Sequence, residues 1–153
     1  MVALAINPID VGQYIINSFI KKNESITTLK LMKLVFYSQV WSLVWDDKPL
    51  FEEDFEAWVN GPVAVSLFHS LQGFYYCPNE IKGADVSKFT DNQKDTIDRV
   101  LSYYGDYTSS ELVALTHSED PWLLARKGLP DGTPCKNTIT KDSIANFYIT
   151  QCR

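Results

Sequence analysis

Apolar positions along this chain recur mostly at helical spacing. Asn7 followed by Pro8 marks a helix start, because asparagine caps well and proline is tolerated where the first N–H has no intrahelical partner. Ile9, Ile16, Phe19 and Ile20 then form a stripe, widened by Tyr14 and Ile15. Lys21 and Lys22, before Asn23, bring charge suited to the C-terminal end of that helix. A second helix is predicted from Thr27 or Thr28 to about Trp45. Its Leu29, Leu31, Met32, Leu34, Val35, Phe36, Val40, Leu43 and Val44 point in nearly every direction around the axis, as expected of a helix with neighbours on all sides. Beyond Asp46 and Asp47 the period changes. Phe55, Ala57 and Val59 alternate with Glu56 and Trp58, a strand-like repeat, and Asn60-Gly61-Pro62 reads as a turn.

A third helix is predicted after Pro62, carrying Val63, Leu67, Phe68 and Leu71 and ending near Gly73. Residues 74–90 read as irregular. Thr90 with Gln93 is a capping-box pair ahead of a helix that carries Ile97, Val100, Leu101 and Tyr104. Ser109 or Ser110 is expected to cap a short helix with Leu112, Val113 and Leu115. Asp120-Pro121 repeats the cap-then-proline start, with Gly128 as the stop, and Thr140 is expected to cap a last helix whose Ile144, Phe147 and Tyr148 face inward. The reading is mainly α: one helical domain over residues 1–153, around a central buried helix at about 28–45, with a small β-hairpin or edge strands near 50–60.

Composition narrows the classes. The chain has 153 residues, 45% of them hydrophobic and 22% charged, which is globular and not disordered. Fourteen Lys and Arg face nineteen Asp and Glu, for a formal net charge of −5. That balance argues against a protein whose main task is coating nucleic acid or an anionic membrane. The apolar run Leu34 to Trp45 is interrupted by Ser38, Gln39 and Ser42 and is too short to span a bilayer. Without a basic stretch ahead of an apolar one, the N-terminus does not read as a secretory signal. Cys77, Cys135 and Cys152 are widely spaced and form no CxxC pair, the pattern of reduced thiols in a cytoplasm.

Several constellations admit two readings. Tyr37, Trp41 and Trp45 share one face of the second helix, either as a core stripe or as a partner groove, since tryptophan and tyrosine are favoured interface anchors. Tyr103, Tyr104 and Tyr107 are a second aromatic cluster with the same ambiguity. Glu52, Glu53, Asp54 and Glu56 form an acidic run that reads as a solvated or docking edge, or as acid–base machinery if His117 and Arg126 converge on it. Trp122 and Arg126 lie one turn apart on a short helix after His117, either as a structural corner capped by Asp120 or as a recognition site. His69 and His117 have no zinc-ligand spacing, and the chain carries no nucleophile elbow and no Gly-rich phosphate loop, so no catalytic residue, metal or cofactor is expected.

Two stretches go further. Residues 28–63 hold Leu31, Lys33, Leu34, Tyr37, Gln39 and Trp41, then Pro49-Leu50-Phe51, then Glu56-Ala57-Trp58 and Gly61-Pro62. Residues 109–126 hold Leu112, Thr116, His117, Pro121, Trp122, Ala125 and Arg126. In this order the two stretches resemble the signatures of the Panacea domain family, also called SocA-like or GepA-like, over about residues 8–150. The resemblance implies a binding protein of bacterial and phage toxin–antitoxin systems, many of them prophage-encoded, that neutralises a cognate toxin by direct contact in the cytoplasm. The resemblance further implies, as an alternative, an adaptor that delivers a toxin to a cytoplasmic protease of the Clp type. A phage-encoded regulator of a host protein is the other alternative. The family's signature surface is expected at Glu56, Trp58, Gly61, Pro62, His117, Pro121, Trp122 and Arg126, with Tyr37 and Trp41 as a groove, unless these residues are mostly architectural and partner choice rests in the 74–90 loop. The helix-turn-helix appended in some relatives is not seen, so DNA-binding autoregulation is not expected.

Overall fold

The central helix forms because nearly every side of it can be buried. In the structure, a computed structural model describing residues 5–151, α2 runs Thr28–Trp45, and Thr27 caps it by accepting a hydrogen bond from the Lys30 amide. Leu31, Leu34, Val35, Tyr37 and Val40 are all fully buried. Four helices and one strand supply the cover. They are α1 (Pro8–Lys21), α4 (Asp91–Tyr104), α5 (Ser109–His117), α7 (Lys141–Tyr148) and β2 (Gly61–Val63).

The local signals explain most boundaries. Asn7 and Asp10 satisfy each other's backbone amides at the start of α1, and Thr90 with Gln93 do the same for α4. Thr108, one residue before the expected serines, caps α5 through a box with Glu111. Thr140 caps α7 through the Ser143 amide. Ile20 is exposed, because the buried face of α1 is made by Val11, Ile15, Ile16 and Phe19. Between these helices lie α3 (Val65–Ser70), a single 3-10 turn at Val86–Lys88, and α6 (Asp120–Ala125).

The sheet is small and antiparallel, in the order β2-β1-β3, with β1 at Phe55–Trp58 and β3 at Thr138–Ile139. Its hairpin turns at Val59-Asn60. Gly61 and Pro62 therefore lie in β2, opposite Trp58 and Ala57, and not in the turn that their residue types suggest. The edge position of β2 tolerates a proline without an N–H, and Gly61 adopts φ +107. Asp120 does not cap α6. Glu119 occupies that place and makes no cap bond, because its carboxylate is held elsewhere. Among the described residues no helix is long and apolar enough to cross a membrane. Cys77 and Cys135 are free thiols, and Cys152 lies outside the described residues.

Candidate functional site

The hairpin's inward carbonyls need donors, since a buried unpaired acceptor costs about 1–3 kcal/mol. Three long side chains from elsewhere in the fold provide them. Lys33 of α2 is fully buried, and its Nζ donates to the Pro62 carbonyl at 2.9 Å. Trp122 of α6 donates from Nε1 to the Trp58 carbonyl at 2.8 Å. Arg126, at the end of α6, donates from Nη1 to the Ala57 carbonyl at 3.0 Å. Its Nη2 reaches the carbonyls of Thr133 at 2.6 Å and Pro130 at 3.2 Å, which fastens the loop between α6 and β3. His117 stacks on Trp122 with ring centroids 3.9 Å apart, and the Arg126 guanidinium lies 4.7 Å from the same indole.

Gly61 belongs to this frame. A Cβ there would stand 2.7 Å from Lys33 Cε and 2.8 Å from Thr116 Oγ1, so only glycine lets β2 approach α2 and α5 this closely. Gln39 performs a parallel service for Pro49-Leu50-Phe51. Its Oε1 accepts from the Leu50 amide at 2.7 Å, and its Nε2 donates to the Phe51 carbonyl at 2.8 Å. The two separated motifs are therefore one interlocked backbone clamp.

Of the ten residues expected at a partner surface, seven are buried: Tyr37, Trp41, Gly61, Pro62, Pro121, Trp122 and Arg126. Glu56, Trp58 and His117 keep some surface, and Glu56 accepts from Trp58 Nε1 at 2.7 Å. The acidic run does not converge on His117 and Arg126. Glu53 accepts from the Ser66 amide, Asp54 pairs with Lys141 at 2.8 Å, and Arg126 spends Nη1 and Nη2 on carbonyls while its buried Nε has no partner among the described residues. Burial holds the His117 imidazole below its ordinary pKa, and its Nε2 has no partner among the described residues.

Two recesses open on the surface, the first of them beside the hairpin of the clamp. The first, of about 320 Å³, is lined mainly by apolar groups, including Leu29, Met32, Val63 and the T-shaped pair Trp58–Phe68. Thr28, also in its wall, donates through Oγ1 to the Phe74 carbonyl and through its amide to the Tyr75 carbonyl, while the Cys77 amide donates to Ile26. These bonds hold Phe74, Tyr75 and Tyr76 in place at 49%, 72% and 57% exposure. These three adjacent aromatic side chains follow neither a helical nor a strand period, so the spacing of apolar residues does not reveal them.

The second recess, of about 600 Å³, opens beside α2, α4, α5 and α7 and unites the two aromatic clusters. Tyr104 stacks on Tyr37 at 4.2 Å and accepts from Trp41 Nε1 at 2.9 Å, while Trp45, Tyr103 and Tyr107 form more of the wall. Glu119 lines the same recess, and its Oε1 accepts from the hydroxyls of both Tyr37 at 2.5 Å and Tyr148 at 2.8 Å. Burial raises the Glu119 carboxyl above its ordinary pKa, against the pull of the two phenols, and burial pushes Tyr104 up to about 12.

The model of the family described as "Antitoxin SocA-like, Panacea domain" matches residues 31–123, the span from α2 to α6 that holds most of the clamp. The chain belongs to this family. Antitoxin SocA of Caulobacter vibrioides (strain NA1000 / CB15N) is 31% identical over 115 residues, covering 67% of this chain and 61% of the relative. The Panacea-domain chain described here thus spans about three fifths of that relative's length. No solved structure matches it.

Proposed function

We propose that this protein is an antitoxin that neutralises a partner toxin by direct contact, as a binding protein and not an enzyme. The observation that carries the reading, within the SocA-like family, is the pinned aromatic triplet Phe74-Tyr75-Tyr76 beside the apolar recess of Leu29, Met32, Trp58, Val63 and Phe68. Exposed aromatics on an already ordered backbone lose little entropy on binding and are favoured hot spots. The clamp residues, in this reading, are the scaffold that presents this face. The net charge of −5 steers the protein toward a basic toxin and acts on association rate more than on affinity.

The test is co-expression with the product of the neighbouring reading frame, scored by growth and co-purification. Wild type should rescue growth and form a stable complex. The double variant Tyr75→Ala/Tyr76→Ala should weaken that complex at least about tenfold while its urea midpoint stays unchanged. Full rescue and an intact complex with the double variant would overturn the assignment of this face. Rescue by wild type without any complex would overturn neutralisation by contact and move the reading to toxin removal, by a Clp-type protease or by chemistry.

A further inference from the structure

The second recess has no part in the face proposed for the toxin, and its chemistry is different. Its walls are the rings of Trp41, Trp45, Tyr103, Tyr104 and Tyr107, and Glu119 joins them as a carboxylate. Among the described residues both hydrogen bonds to the Glu119 carboxylate end on Oε1, none ends on Oε2, and no ion-pair partner lies within 4 Å of it. A half-buried carboxylate without a counter-charge is unfavourable, and the ring faces around it carry negative electrostatic potential. The aromatic wall already attracts one cation: the Arg99 guanidinium lies 3.9 Å from the Trp45 ring centroid.

We infer that this recess is a binding site for an alkylated ammonium group, its methyl groups packed against the tryptophan and tyrosine rings and its charge facing Glu119. An unsubstituted ammonium needs about three acceptors to replace its water, whereas a quaternary one needs none and gains most from aromatic faces. A recess of about 600 Å³ admits such a head group together with part of whatever carries it. Arg99 is a resident competitor on Trp45, so removing it frees a ring face and relieves like-charge repulsion.

The probes are tetramethylammonium, choline, a trimethyllysine peptide with its unmodified lysine counterpart, and 3,3-dimethylbutan-1-ol as the neutral isostere of choline. The readout is the indole N–H resonances of the full chain. The signals of Trp41 and Trp45 should move on titration, while those of Trp58 and Trp122 stay in place. Glu119→Gln keeps an oxygen for both tyrosine hydroxyls and should weaken binding about tenfold or more. Tyr103→Ala removes a largely exposed wall ring that packs on Tyr104 and should weaken it severalfold while the urea midpoint stays near that of wild type. Arg99→Gln should tighten it severalfold. Tighter binding of the trimethyllysine peptide than of choline would assign the ammonium to a protein chain, and the reverse to a small molecule. Equal binding of the neutral isostere, shifts at Trp58 or Trp122 instead, or no shift with any ammonium probe would overturn the inference.

Discussion

Replacing Lys33 with methionine separates the role of its amine from the role of its stem. Lys33 is fully buried, its one hydrogen bond goes to the Pro62 carbonyl, and burial lowers its pKa from 10.5 to about 7. The folded-state pKa lies below the unfolded one, so between those two values the unfolded chain binds more protons and stability rises with pH. Below about pH 7 both states are protonated and the cost is constant. At about 1.4 kcal/mol per pH unit, holding a protonated amine at this site costs the fold on the order of 5 kcal/mol at low pH and about 4 kcal/mol at pH 7. At pH 9 about 2 kcal/mol of that cost remains. Methionine fills a similar volume but leaves the Pro62 carbonyl unpaired, a pH-independent loss of about 1–3 kcal/mol. The expectation therefore concerns a difference: wild type should gain about 2 kcal/mol on Lys33→Met between pH 7 and pH 9. Urea unfolding of both proteins at pH 6, 7, 8 and 9, followed by circular dichroism, reads it directly, and other titrating groups largely cancel. A gap constant to within about 0.5 kcal/mol over this window would mean that the amine stays charged inside the fold, and the reasoning would be wrong.

Two further substitutions test the clamp. Gly61→Ala meets Lys33 Cε and Thr116 Oγ1 at a backbone φ of +107 and should cost about 3 kcal/mol in urea unfolding, with a cost below about 1 kcal/mol refuting the close approach. Arg126→Lys keeps the charge but cannot span the carbonyls of Ala57, Thr133 and Pro130, so it should lose about 2 kcal/mol and expose the 127–137 loop to protease; wild-type stability and protease resistance would show that the fork is dispensable.

The helices were legible in the sequence where cap and stripe agree, as at Asn7-Pro8, Thr27, Thr90 and Thr140. The signal failed where a residue's usual local role yields to a distant contact. Gly61-Pro62 has turn chemistry, yet it pairs with Trp58 and Ala57 as a strand, and its glycine serves the close approach to Lys33 and Thr116. Asp120 has cap chemistry, yet the chain enters α6 through Glu119, drawn inward by Tyr37 and Tyr148. β3 is only two residues long and carries no readable period. At the site, the motif residues were visible but their work was not. Lysine, arginine and tryptophan look like surface chemistry in a one-dimensional pattern, and only the hairpin's unpaired carbonyls explain why they are buried. Phe74, Tyr75 and Tyr76 were hidden for the opposite reason, since consecutive aromatics in an irregular segment carry no period.

The placement of β3 and α7 bears on how the protein comes into being. β1 cannot complete its outer edge until Thr138–Ile139 arrive, and α2 and Glu119 wait for Tyr148, near the end of the described chain. A ribosome delivers these segments after every other part of the core has emerged. Between the synthesis of Val63 and that of Thr138 the nascent hairpin edge is therefore open, and the central helix stays uncovered on one side until α7 follows. Translation must pass Tyr148 before the core described here can close. A chain released before Tyr148 would leave α2 uncovered on one side, with apolar surface open to proteases.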